Sequence, residues 1–196
     1  MHPELLSMSL FMFVTSCSPG PNNIVASYSG FNFGLIKTIP HMCGVIFGFT
    51  TLVIVVNFGL ISIFKSFPII QEILKYGGTI FLIYLAYKIS FSNASSDSIS
   101  ENPVKFIETF FFQFLNPKAV IVAIIIVSTY VESGKVFINY SLWVIGVAFF
   151  FACVSITFWT LLGKFLRKFA TNEKFIKWFN YVMSILLIGC ISTFYY

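Results

Sequence analysis

The sequence Cys17-Ser18-Pro19-Gly20-Pro21-Asn22-Asn23 decides how this chain folds. It lies inside an apolar run, about residues 5–28, that is long enough to cross a bilayer. Each proline removes a backbone donor and blocks a helical hydrogen bond, so two prolines around a glycine predict a break in the helix. In hydrocarbon, such a break is tolerated only where the freed backbone groups face protein or a watery cavity. One interpretation is a packing kink; the other, which the two asparagines favour, is a broken helix that lines a binding site.

The composition predicts an integral membrane protein. Of 196 residues, 58% are hydrophobic and only 10% are charged, which is far too apolar for a soluble domain of this length. Six stretches are long and apolar enough to cross a membrane as helices. They are residues 5–28, 39–64, 69–89, 106–131, 137–162 and 175–196. The predicted fold class is therefore an all-α membrane protein with six transmembrane helices.

A second interruption, Asn116-Pro117-Lys118, lies in the fourth of these stretches. Pro117 follows Pro19 by 98 residues, half the chain length, so each break falls in the first span of a three-span half. Breaks at corresponding positions indicate a transporter built from repeats, with its site at their interface. Because three spans per half is an odd number, the second half must enter the membrane from the opposite side. We therefore expect one integral membrane domain, residues 1–196, made of two inverted three-helix repeats, 1–90 and 106–196, and a polar connecting loop, 91–105.

Several classes of protein are disfavoured by the residues that the spans contain. No Gly-rich phosphate loop is visible, so uphill movement of a solute would have to draw on an ion gradient or the solute's own gradient. The spans carry no Ser/His/Asp set, paired aspartates or HExxH motif, which argues against an enzyme. The four cysteines show no metal-ligand spacing, and we expect no metal or cofactor. An intramembrane enzyme and a non-transporting membrane subunit stay open as alternatives.

The basic residues predict the orientation of the chain. The net charge of +5 is spread between apolar runs instead of forming one stripe, so it indicates topology and not nucleic-acid binding. The connections between spans one and two, three and four, and five and six carry Lys37, Lys88, Lys105, Lys164, Arg167, Lys168, Lys174 and Lys177. The other side carries Lys65, Lys75 and Lys135. The positive-inside rule places the first set in the cytoplasm, so both termini are predicted to be periplasmic.

The breaks themselves suggest which solute would fit. Half-helices that start near Pro21 and Pro117 would direct free N–H groups and the positive ends of their dipoles toward the breaks. Together with Lys118, such ends could hold a carboxylate, and asparagine amides offer donors and acceptors for an ammonium or a polar side chain. This combination suits a small zwitterion. The candidate binding residues are Pro19, Gly20, Pro21, Asn22, Asn23, Asn116, Pro117 and Lys118.

Two further patterns concern packing and proton coupling. Gly44 and Gly48 have the small-xxx-small spacing that lets another helix approach closely. An antiporter needs a group that titrates inside the membrane, and the candidates are His41, Glu108 and Lys118. Glu108 is either interfacial or functional, His41 either a capping or packing residue or a proton carrier, and Lys118 either snorkels or acts in the site.

These motifs resemble those of the LysE/RhtB family of bacterial amino-acid exporters. The resemblance covers nearly the whole chain and rests on 19–23, Gly30-Phe-Asn-Phe-Gly34-Leu-Ile-Lys37, Gly44, Gly48, Phe81-Leu-Ile-Tyr-Leu-Ala-Tyr-Lys88 and Phe112-Gln-Phe-Leu-Asn116-Pro117-Lys118. Within the family, the short length, doubled asparagine and compact fourth-span motif are most similar to the cysteine/O-acetylserine efflux subfamily.

The resemblance implies a multi-pass protein of the bacterial inner membrane that exports small amino acids or derivatives by exchange with protons. The substrates would be cysteine/O-acetylserine-like or threonine/homoserine-like. The partners implied are a small amino acid, protons and the lipid bilayer, and a homo-oligomer is left open.

Overall fold

The computed structural model describes residues 2–60, 68–91, 103–132, 134–192 and 194–195. Within these ranges the regular structure is entirely helical. The α-helices are α1 (Leu5–Cys17), α2 (Pro21–Val55), α3 (Pro68–Ser90), α4 (Phe106–Leu115), α5 (Pro117–Tyr130), α6 (Phe137–Leu166) and α7 (Glu173–Ser192). A π-helical stretch, Val56–Leu60, follows α2, and a 3₁₀ turn, Arg167–Phe169, follows α6. Lys65 and most of the predicted polar loop, residues 92–102, lie outside the described residues.

The helices make the chain a multi-pass membrane protein. In the part of the chain that the structure describes, three helical stretches are long and apolar enough to cross a membrane: Pro21–Gly59, Phe137–Phe169 and Glu173–Ser192. Helices α4 and α5 together make a fourth when they are counted as one span, bent by 65°. Helix α3 follows the predicted span 69–89 but is not among the three. The six inverted spans therefore stay a prediction.

The predicted break in the first apolar run is confirmed. Helix α1 ends at Cys17 because Ser18 turns to an extended conformation, ψ 146°, which is the conformation that a following proline favours. Gly20 is also extended, and α2 then begins with Pro21 at its first position, where a missing N–H costs no helical hydrogen bond. Three residues thus separate two helices inside one apolar run.

The second predicted break is confirmed as well. Asn116 leaves the helical conformation, with φ −90° and ψ 104°, and α5 begins immediately at Pro117. The axis of the apolar run changes direction by 65° at this point. Here too the proline supplies the first residue of the new helix.

A third interruption, at Gly34, is not predicted by the sequence analysis. The backbone of Gly34 has φ 76°, a conformation that glycine adopts at little cost and other residues rarely adopt. It divides α2 into two segments, residues 21–33 and 35–55. The predicted connection between the first two spans is therefore a single glycine corner and not a loop.

Glycines allow the helices of the two halves to pack closely. A Cβ on Gly44 would lie 2.6 Å from the Phe106 carbonyl oxygen, and one on Gly48 would lie 2.7 Å from that of Phe110. The small-xxx-small prediction is thus confirmed, with α4 as the partner. Segment 21–33 packs against α6 in the same way, where a Cβ on Gly30 would collide with the Thr160 carbonyl. These contacts bring the two breaks together.

Candidate functional site

A cavity lies between the two breaks. Its empty space is about 510 Å³, part of it open to the outside. Six of the predicted binding residues line it: Gly20, Pro21, Asn22, Asn23, Asn116 and Lys118. Further polar lining comes from Thr15, Ser16, Gln113 and Ser155, and apolar lining from Val45, Phe49, Ala119, Val122, Ala152 and Ile156. The break residues of both halves therefore meet in one mixed polar and apolar cavity.

The carbonyl groups freed at the end of α1 are bound by side chains. Asn23 Nδ2 donates to the carbonyls of Ser16, at 2.7 Å, and Ser18, at 2.9 Å. Ser155 Oγ also donates to the Ser16 carbonyl, at 2.7 Å, and Trp159 Nε1 donates to that of Cys17, at 3.2 Å. The acceptors that the break exposes are thus satisfied by the protein, as a low-dielectric surrounding requires.

Lys118 completes this capping from the second half of the chain. Its Nζ donates to the Ser18 carbonyl at 2.9 Å, to Ser18 Oγ at 2.8 Å and to the Pro19 carbonyl at 3.3 Å. Among the described residues, no carboxylate side chain lies within ion-pair distance of Lys118. The ammonium therefore binds backbone oxygens at the C-terminal end of α1, which carries partial negative charge, and its full positive charge is not neutralised by an acidic residue.

The starts of α2 and α5 lack such partners. Neither Gly20 nor Asn116, the residues that precede the two helices, makes a side-chain capping hydrogen bond. The N–H groups of a first helical turn have no partner inside the helix and carry partial positive charge. Since residues of both first turns line the cavity, it presents two positive helix ends to whatever occupies it.

Asn116 presents a free acceptor beside these donors. Its side chain is 2% exposed, and its Oδ1 has no hydrogen-bond partner among the described residues. A buried polar atom without a partner costs about 1–3 kcal/mol. Asn116 lines the cavity, so a turn of its side chain would bring Oδ1 to a ligand with a donor group, which would relieve that cost.

Asn22 and Gln113 form a reciprocal amide pair at the cavity wall. Asn22 Nδ2 donates to Gln113 Oε1 at 2.8 Å, and Gln113 Nε2 donates to Asn22 Oδ1 at 3.2 Å. Gln113 is fully buried and donates in addition to the Thr109 carbonyl, at 2.9 Å. The sequence analysis missed Gln113 as a site residue. The available signal was an amide in an apolar helix, one turn before Asn116.

The candidates for protonation lie in three different places. His41 is 1% exposed and sits behind the amide pair, with Nδ1 3.0 Å from Thr109 Oγ1 and Nε2 3.4 Å from the Asn22 carbonyl oxygen. The Glu108 carboxylate accepts the Lys105 N–H, at 2.9 Å, at the start of α4. Lys118 alone of the three lines the cavity.

Pro19 and Pro117 do not line the cavity, whereas Pro21 does. Pro19 is exposed, and only its carbonyl takes part in the site, through Lys118. Pro117 lines a second cleft, of about 680 Å³, together with Leu115 and Phe194. The structure therefore assigns these rings to interrupting the helices, while neighbouring residues form the wall. Among the described residues, no group of three or more His, Cys, Asp or Glu side chains could hold a metal ion.

An all-helical membrane protein with a mixed polar and apolar cavity between two interrupted helices has the architecture of a solute transporter. The sequence profile of the LysE type translocators matches residues 13–195, and the chain belongs to this family. It is therefore a translocator and not an enzyme.

Curated relatives agree with this assignment. A cysteine/O-acetylserine efflux protein of Salmonella paratyphi A is 30% identical, and proteins of that name from Escherichia coli K12 and O139:H28 are 27% identical. Each alignment covers 100% of this chain and of the relative. No solved structure matches the chain significantly.

Proposed function

We propose that this protein exports small zwitterionic amino acids, of the cysteine and O-acetylserine type, across a bacterial inner membrane in exchange for protons. The observation that carries the proposal is that the cavity wall contains positive helix ends and an acceptor atom that the protein itself leaves without partners. Two helix starts without side-chain caps favour a negative group, and the buried Asn116 Oδ1 lacks a hydrogen-bond donor. The names of the relatives support the direction of transport and the type of solute.

The substrate carboxylate would bind at the starts of α2 and α5. Helix N-termini are ready anion sites, because their N–H groups and dipoles both favour negative charge. Lys118 adds a full charge beside them that no acidic side chain within the described ranges neutralises. The ammonium of the same substrate would donate to Asn116 Oδ1, the free acceptor in the wall.

The rest of the cavity wall favours a short, uncharged side chain. None of the described residues that line the cavity is acidic, so a second ammonium, as in lysine, would enter without a partner. The apolar lining from α2, α5 and α6 suits a thiol or an acetyl ester. Threonine and homoserine are the alternative substrates, because Ser16 and Ser155 can hydrogen-bond a hydroxyl.

The proposal includes the six-span topology. Two inverted repeats, with residues 1–90 and 106–196 as the halves, would place the broken helices near the middle of the membrane and both termini in the periplasm. Support comes from the meeting of the two breaks in one cavity and from the distribution of Lys and Arg. Exchange with protons would supply the energy for export.

Counterflow in proteoliposomes that contain only this protein tests the proposal. Labelled cysteine, O-acetylserine, threonine, homoserine and lysine should be compared with and without a pH gradient. We expect counterflow of cysteine and O-acetylserine, little counterflow of lysine, and net accumulation of labelled cysteine when a pH gradient is imposed. Asn116→Ala should abolish counterflow, whereas Asn139→Ala, at an exposed position of α6, should not. Equal counterflow by both variants would contradict the proposed site, and no solute movement at all would indicate a non-transporting subunit.

A further inference from the structure

We propose that His41 binds the exchanged proton and that Thr109 is the positioning residue that keeps it hydrogen-bonded in both protonation states. This inference rests on the proposed function, because it assigns a residue to the proton exchange. It is carried by the hydrogen-bond geometry between α2 and α4.

The contacts of His41 form a short chain of polar groups. Its Nδ1 lies 3.0 Å from Thr109 Oγ1, and its Nε2 lies 3.4 Å from the carbonyl oxygen of Asn22. The same Thr109 hydroxyl lies 3.1 Å from the carbonyl oxygen of Lys105. The hydroxyl of Thr109 therefore has two possible acceptors, one on each side.

With neutral His41, the tautomer follows from the partners. A carbonyl can only accept, so Nε2 carries the hydrogen and donates to Asn22. Nδ1 is then an acceptor and receives the hydroxyl hydrogen of Thr109. Both ring nitrogens are satisfied, although the side chain is 1% exposed.

Protonated His41 is satisfied by one rotation. Nδ1 gains a hydrogen and donates to Thr109 Oγ1, while the hydroxyl turns to donate to the Lys105 carbonyl, which is within reach. No buried donor or acceptor loses its partner, so protonation adds no unpaired polar group to the cost of burying the charge.

Protonation is linked to the substrate site through Asn22. The carbonyl of Asn22 faces His41, while its side chain pairs with Gln113 and lines the cavity. A charged donor makes shorter and stronger hydrogen bonds than a neutral one, so protonation should tighten the 3.4 Å contact. It would thereby move the first turn of α2, which is one of the two anion-binding helix starts.

In the described part of the chain, no charged side chain binds His41. The titratable and charged side chains on the neighbouring elements include Lys37 and Cys43 on α2, Lys105 and Glu108 at the start of α4, Lys118 and Tyr130 on α5, and Tyr140, Cys153 and Lys164 on α6. In the described ranges none of them is hydrogen-bonded or ion-paired to His41. Glu108 is bound to the Lys105 N–H, and Lys118 to the carbonyls at the end of α1.

The proposal is tested by measuring cysteine counterflow and proton-driven cysteine accumulation separately. In proteoliposomes, His41→Gln should keep counterflow of labelled cysteine, which needs no proton, but lose accumulation driven by a pH gradient. Glu108→Gln is the matched control and should keep both. Gradient-driven accumulation that persists in His41→Gln would overturn the proposal, and so would an equal loss of counterflow and accumulation, which would indicate a purely structural role.

A second pair of variants, at Thr109, tests the same proposal if His41→Gln does not enter the membrane. Thr109→Ser keeps the hydroxyl and should keep gradient-driven accumulation. Thr109→Val has the same shape without the hydroxyl and should keep counterflow but lose accumulation. Accumulation by Thr109→Val equal to that of Thr109→Ser would overturn the proposal. Absence of cysteine counterflow by the unmodified protein would overturn the proposed function, and this inference with it.

Discussion

Asn22 and Gln113 exchange two amide hydrogen bonds although they are 91 residues apart in the chain. The pair joins the first turn of α2 to the last turn of α4, so it fixes the helix start of one half against the break of the other. Since Asn22 and Gln113 both line the cavity, the same contact that holds the halves together also shapes the site.

Removing one member of this pair should destabilise the protein more than removing both. Gln113→Leu leaves the Asn22 amide without its partner, which should lower the free energy of unfolding by about 1–3 kcal/mol. Asn22→Leu combined with Gln113→Leu replaces both amides with apolar groups and should recover part of that loss. Thermal unfolding in detergent of the single and double variants measures the coupling. Additive losses would show that the pair contributes no mutual stabilisation.

Gly20→Ala should weaken substrate binding without disturbing the backbone. Gly20 has φ −173°, which any residue adopts, but a Cβ there would lie 3.0 Å from Lys118 Nζ and 3.1 Å from its Cδ. The lysine would have to shift by a few tenths of an ångström. We expect a higher KM for cysteine with the protein still folded in the membrane. Gly189→Ala, whose Cβ would meet nothing within 4 Å, is the control and should leave the KM unchanged.

Gly34→Ala and Gly146→Ala should change stability in opposite directions. A Cβ at either position would meet no atom within 4 Å, so only the backbone distinguishes them. Gly34 has φ 76° and ψ 178°, a backbone region that is essentially restricted to glycine, where an alanine costs about 1–3 kcal/mol. Gly146 is inside helix α6, where an alanine gains up to about 1 kcal/mol. Unfolding midpoints that shift in the same direction for both variants would contradict the corner at Gly34.

The sequence predicted the features whose causes are local. The breaks at Pro21 and Pro117 follow from the missing N–H of proline, and the close approach at Gly44 and Gly48 follows from small side chains at helical spacing. Both consequences act within a few residues of their cause. Predicting them therefore requires no knowledge of the partner helix.

The features that were not predicted depend on distant partners or on a single dihedral angle. Gln113 pairs with a residue 91 positions away, and Ser155 donates to a carbonyl 139 positions away. His2 donates through Nε2 to the carbonyl of Tyr130, 128 residues further along, and so ties the N-terminus to the end of α5. The corner at Gly34 was not predicted because a glycine can adopt positive or negative φ, and the sequence does not show which one Gly34 adopts.

The glycine contact between residues 21–33 and α6 limits how the transporter can rearrange. With no side chain at Gly30 or Gly163, the backbones touch at Thr160 and Ser27, and sliding would drive each peptide into its neighbour. We therefore expect the two helices to move as one rigid body during transport. We expect the pivots at the ends of that body, at the extended residues Ser18 and Gly20 and at the Gly34 corner.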